Sequence, residues 1–324
     1  MIRILLAVSI CLGWMLGTDP APAQDYPNRP IKIVVPFPAG GPTDGMARII
    51  ADRLGQVLGQ SIVIENRGGG AGGSNGAKVV AAADPDGYTI LLTPGGSLTT
   101  GPAVHPNIGY DPFKVFTPVA QLIDTPQIIS AHESLPVKTL ADVVGYAKAN
   151  PGKINWGSQG FGVAPHLLLE MFKVDNGINI VHVPYRGTAP MLAAIVAGEI
   201  QMIADPMTTS LPHIQSGKLR ALAVAGDTRS PKLPDVPTTK EAGFPKLNSP
   251  FWLGVVAPAG TPPAIVDKLN AAFRESMAPP ETRARLATLG ADIRIDTPAA
   301  FGKMLANESA QWVAVVKAAN IKPE

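Results

Sequence analysis

The stretch "IKIVVPFPAGGPTDGMARIIADRL", Ile31 to Leu54, decides the architecture. An apolar, β-branched run enters a turn of Pro, Ala and Gly, and a helical pattern follows without a linker. Met46, Ile49, Ile50 and Leu54 recur at helical spacing, and Thr43 or Asp44 is placed to cap the helix start. A strand that ends in a glycine turn and feeds a helix is the repeating unit of an α/β protein.

The unit recurs along the chain. Strand-like runs include "SIVIENR", "YTILLTP", "VAQLI", "QIISAH", "KINWGS", "NIVHVPY", "IQMIADP", "LRALAVAG" and "FWLGVVAP", most of them ending in Gly or Pro. Helical patterns cover 44–58, 75–83, 140–149, 165–172, 188–197, 263–277, 281–289 and 297–319. So many strands exceed one ordinary open sheet, and two mainly parallel sheets flanked by helices are expected. A length of 324 residues also exceeds what one core usually serves. Both "VAQLIDTPQIISA" and "FWLGVVAPAG" read as continuous strands, which predicts a two-strand hinge near Leu122–Thr125 and Trp252–Val255. The expected division is residues 24–124 with 254–324 in one lobe and 125–253 in the other, with the ligand cleft between them.

The chain is 46% hydrophobic and 16% charged with a formal net charge of +2, a balance that suits a large core and argues against a nucleic-acid partner. Its first residues read as an export signal: Arg3 is followed by the apolar "ILLAVSICLGWML" and by "APA", so removal after Ala23 is expected. Thirteen apolar residues fall short of the roughly 20 that cross a bilayer. The single cysteine, Cys11, lies in this segment, behind an Ile10 that fits a lipoprotein signal poorly. The mature chain then has no cysteine, which excludes disulfides, thiolate metal sites and cysteine catalysis, and a periplasmic location follows.

Two motifs suggest chemistry and fail on context. "GGGAGG" sets Gly68, Gly70 and Gly73 in G-x-G-x-x-G register, but a lone match in an exported chain is weak evidence for a dinucleotide. "GGSNG" fits a nucleophile elbow around Ser74, yet "GGGAG" stands where the buried strand of a serine hydrolase belongs. An N-cap role for Ser74 is the simpler reading. His105, His132, His166, His182 and His213 are dispersed, so no metal site, catalytic residue or cofactor is expected.

What recurs is an anion-binding arrangement. "PFPAGGPTD" (Pro36 to Asp44) and "GSQGFGVAPH" (Gly157 to His166) each set glycines and a hydroxyl between a strand and a helix start. Backbone N–H groups at the positive end of a helix suit a carboxylate, sulfate or phosphate. One such loop in each lobe predicts a clamp, and "TPGGS" brings Gly96 and Ser97 to the same crevice. Asp205 ends a strand, where it either forms a turn or accepts a ligand donor; Tyr185 and Arg186 follow another strand, facing the pocket or solvent.

These loops, with "VIENRGGGAGGSNGAKVVAAADPDGYTILL", "VPYRGTAPMLAAIVAGEIQMIAD" and "GKLRALAVAGDTRSPKLPDVPTTKEAGF", make the chain resemble the TctC or Bug substrate-binding receptors of tripartite tricarboxylate transporters over nearly its whole mature length. The resemblance implies a two-lobed periplasmic binding protein fold of the type II Venus-flytrap kind. It also implies a small carboxylate ligand, no catalysis, and integral membrane subunits of a tripartite carrier as partners. A monomer is expected, and docking on a sensor kinase is the alternative use of the same receptor. Carried onto matching positions, the resemblance assigns Pro38, Ala39, Gly40, Gly41, Thr43 and Asp44 to one loop of the clamp. It assigns Gly157, Ser158, Gly160, Val163 and Ala164 to the other, with His166 supporting that loop. Tyr185, Gly187, Thr188 and Asp205 would meet the rest of the ligand. Val163 departs from the family pattern "G-S-x-G-x-G-S-x-x-H", and Ala204-Asp205 departs from "FD". A hydroxyl and an aromatic ring are thereby absent, and the ligand does not follow from relatives.

Overall fold

The computed structural model describes residues 26–288 and 290–322, so the export signal read above lies outside the described residues. Eleven strands are present among them: β1 Ile31–Val35, β2 Ile62–Asn66, β3 Thr89–Thr93, β4 Phe116–Thr125, β5 Gln127–His132, β6 Asn155–Ser158, β7 Val181–Pro184, β8 Met202–Pro206, β9 Leu219–Ala225, β10 Phe251–Pro258 and β11 Asp292–Ile293. They form a six-stranded sheet in the order β11-β4-β10-β3-β1-β2 and a five-stranded sheet in the order β7-β6-β8-β5-β9. Helices flank both sheets, giving a two-lobed fold.

The sheets are mixed rather than mainly parallel. β1 pairs parallel with β2 and β3, and β6 with β7 and β8, as strand-helix-strand units require. The connecting strands run the other way: β10 lies antiparallel to β3 and β4, and β5 antiparallel to β8 and β9. The chain re-enters the first sheet as β10 and enters the second as β5, in each case against its neighbours, and hydrophobic periodicity carries no record of direction. β4 and β10 stay paired as far as Phe251↔Thr125, after which Pro126 interrupts the chain and β5 begins the second sheet.

Each sheet buries its own core. Ile33, Ile50, Leu92, Val255 and Phe273 pack in the first, and Trp156, Leu168, Phe172 and Met202 in the second. The C-terminal helix Pro298–Ala318 belongs to both, and so is not confined to the first lobe. Phe301 and Leu305 pack with Trp252 on the first lobe, whereas Trp312 joins the core of the second. Twenty-one residues make a helix about 30 Å long, enough to reach from one core to the other.

The helix starts are also shifted. Helix Pro42–Leu58 is capped by Gly41, not by Thr43 or Asp44, because Pro42 takes the first helical position that its missing N–H suits. Gly73 likewise displaces Ser74 at the next helix. Helix Met207–Gln215 escapes the sequence reading because Pro206 and Pro212 disguise it.

Candidate ligand site between the lobes

A cavity of ≈ 90 Å³ lies where the loops of the two lobes meet. One water needs about 10–15 Å³, so the space suits a small ligand rather than a single solvent molecule. Pro38, Ala39, Gly41 and Thr43 line it from the first lobe, and Val163, Ala164, Gly187 and Thr188 from the second. Gly96 adds the third turn. All nine were expected at the ligand.

Three helix starts surround the space. Helices Pro42–Leu58, Ala164–Asn176 and Thr188–Val196 begin at Gly41, Val163 and Gly187, and none of these residues supplies a side-chain cap. Gly187 reaches its cap geometry at φ 103°, which a residue with a Cβ rarely adopts. First-turn N–H groups have no intrahelical acceptor, so three positive helix ends face one cavity. The Thr43 and Thr188 side chains, 3% and 7% exposed, line the cavity, and neither hydroxyl has a protein partner among the described residues. Arg186 lines the mouth and is itself exposed, with no ion-pair partner among the described residues.

The remaining expected residues support this lining without forming it. Asp44 is buried behind its loop, accepting from Gly40 N at 2.9 Å and from Arg48 Nε at 3.1 Å. Burial pushes its carboxyl up, but the hydrogen bonds from Arg48, Gly40 and Asn66 outweigh it and hold the pKa below the usual value. Gly40 therefore holds Asp44, and Ser97 pairs with Thr93 at 2.8 Å. Ser158 donates to Gly160 O at 2.6 Å and meets His182 Nε2 at 2.7 Å, bracing the second loop from behind. Gly157 packs against Met191 and Ile200, and Tyr185 packs beside them. Asp205 is fully buried and reaches the cavity only through Gln159, whose Nε2 donates to Asp205 Oδ1 at 2.7 Å. Ala204 is buried within β8 and does not line the cavity.

Several lining residues had no local signal. Gln127, Gln159, Phe251, Trp252 and Glu308 come from β5, the second loop, β10 and the C-terminal helix. Glu308 accepts from Trp252 Nε1 at 3.0 Å and from Thr99 Oγ1 at 2.9 Å, and burial pushes its carboxyl above the usual range. Ser74 lies instead in a separate cleft with Lys78, His105 and Phe161.

The two lobes touch beside the cavity. Thr100 Oγ1 donates to Gly162 O at 2.8 Å, and Gly72 N donates to Phe161 O at 3.2 Å. Phe161 also meets the His105 ring edge-on, with centroids 5.3 Å apart. Behind Phe161, His166 and His182 stack at 4.1 Å, and Gly162 N donates to His166 Nδ1 at 3.3 Å. His166 thus supports its loop. Sequence dispersed these three histidines, and the fold gathers them around one aromatic ring. Among the described residues no group of His, Cys, Asp or Glu is arranged to hold a metal ion.

This stack gives a pH prediction. Burial, aided by His182, Lys173 and His105, lowers His166 to about 3, and burial with Lys173 lowers His182 to about 4, both from 6.5. The unfolded chain then binds more protons below pH 6.5, so the histidines' contribution is present above that pH and lost as pH falls toward 4. Asp205 acts in the opposite sense: burial raises it from 3.8 to about 7, against its bonds from Thr209 and Gln159, so its contribution is lost as pH rises toward 7. A comparison isolates the ring. Melting curves of the wild type and His182→Asn should converge on acidification from pH 6.5 to 4; a constant gap would mean that His182 is not held neutral.

The description "tripartite tricarboxylate transporter family receptor" matches residues 46–321. BugT of Bordetella pertussis is 35% identical over 323 residues, covering 99% of each chain. Among solved structures, Rpa4515 of R. palustris with adipate superposes with a TM-score of 0.87 at 38% identity, covering 93% of this chain and 100% of that one. MatC of Rhodopseudomonas palustris with bound malate gives 0.84 at 36%, covering 90% and 100%. The likeness of sequence and fold extends over both lobes and both glycine loops, and the chain belongs to the tripartite tricarboxylate transporter family receptors.

Proposed function

We propose that this chain is a periplasmic receptor that takes a small organic carboxylate between its lobes and presents it to integral membrane subunits of a tripartite carrier, without catalysis. The observation that carries the reading is the convergence of three helix starts without side-chain caps, from both lobes, on one cavity with Arg186 at its mouth. Such a field favours an anion, and the hydroxyls of Thr43 and Thr188 supply directed donors. The relatives solved with adipate and malate support a carboxylate as that anion.

In this reading the protein is exported, loses its leader after Ala23 and works as a monomer. Residues 24–124 and 254 onward form one moving lobe and 125–253 the other, with the paired strands β4 and β10 as the hinge and the C-terminal helix spanning both. Ligand contacts made by both lobes stabilise the closed form, and the carrier reads closure.

Thermal melting against mono-, di- and tricarboxylates tests this. A ligand at 100 times its Kd adds about 2.7 kcal/mol, and at least one acid should raise Tm by several degrees. A panel that leaves Tm unchanged throughout would remove the support for carboxylate capture.

A further inference from the structure

The wall formed by the second lobe is apolar at Val163, Ala164, Pro165 and Pro206, and Gln159 stands among them, with Gln127, Arg186 and Thr188 the other polar groups on that side. The orientation of the Gln159 amide is fixed from behind. Gln159 Nε2 donates to Asp205 Oδ1 at 2.7 Å and makes a longer contact of 3.4 Å to Ala204 O, so both of its hydrogens are directed into the wall. Turning the amide over would set its oxygen against those two acceptors. Asp205 is held in turn by Thr209 Oγ1, which donates to its other oxygen. Gln159 lines the cavity, and no protein donor meets its amide oxygen among the described residues. That oxygen is therefore the group that Gln159 turns toward the cavity.

An acceptor here asks the ligand for a donor. We propose, resting on the carboxylate reading above, that Gln159 selects acids bearing a hydroxyl, which donates to Gln159 Oε1 while the carboxylate sits at the helix starts. An ammonium group is also a donor, but it would enter a cavity already ringed by three positive helix ends and Arg186. Asp205, behind the amide, is separated from the ligand by Gln159 itself. An acid without a donor leaves the amide oxygen unpaired or bridged by water, and a site built to receive a hydroxyl discriminates against an analogue lacking it.

Calorimetric titration of the full mature protein with matched acids tests the proposal. Lactate and 3-hydroxybutyrate are compared with propionate and butyrate, and with alanine and 3-aminobutyrate. At least one hydroxy acid should bind about tenfold or more tighter than both its unsubstituted parent and its amino counterpart. In Gln159→Leu, and in Gln159→Met as a second apolar replacement, the ratio of hydroxy acid to parent should fall to near one. Acids that bind with no hydroxyl preference, or a preference that survives both substitutions, would overturn the role of Gln159 and leave carboxylate capture standing. Tighter binding of the amino acids would overturn the choice of a hydroxyl, and a protein that binds none of these acids would overturn the hydroxyl selection and leave carboxylate capture to the melting panel.

Discussion

The double substitution Thr43→Val, Thr188→Val should weaken acid binding by about a thousandfold. Each hydroxyl stands in the first turn of a helix, lines the cavity and lacks a protein partner among the described residues. A hydrogen bond to a charged group contributes about 1.5–3 kcal/mol, so each single variant should lose about ten- to a hundredfold. Valine keeps the branched shape, and the folded protein should melt within a few degrees of the wild type. One residue comes from each lobe, so the pair also tests whether the acid is gripped from both sides. If the two effects exceed or fall short of additivity, they couple through the shared ligand. Calorimetry that finds either single variant unimpaired would move the carboxylate away from that hydroxyl.

Gly72→Ala should cost about 4 kcal/mol of stability, the sum of a left-handed backbone penalty and an unrelieved clash. Gly72 has φ 57°, and a Cβ there would lie 2.0 Å from Gly96 O and 2.4 Å from Gly96 C. Both are backbone atoms of a turn that lines the cavity, so no side chain can swing aside. The same residue donates its N–H to Phe161 O in the second lobe, so binding should weaken with stability. At roughly 2–4 °C per kcal/mol for large domains, Tm should fall by about ten degrees. A fall below one degree would contradict the close packing of these two turns.

The glycine loops were legible because strand, turn and helix leave a local signature, whereas Gly187 and Thr188 were assigned to the ligand only through the family resemblance. Arg186 stands beside them, but only the fold shows that it lines the mouth. Glu308 and Trp252 had no local cue: the middle of a long helix and a buried strand look alike whether or not a cavity opens beside them. Asp205 was expected at the ligand, yet Gln159, an unremarkable position of a loop already identified, stands in front of it. The mixed strand directions were hidden for a related reason, since alternation of apolar residues reports burial and not polarity of the chain.

The most direct test of carboxylate capture is a calorimetric comparison of an acid that binds with its own carboxamide, which keeps the shape and removes the charge. Three positive helix ends and Arg186 should make the acid bind at least a hundredfold tighter than the amide, with the advantage reduced in Arg186→Ala. Equal binding of acid and amide would contradict a site built for an anion.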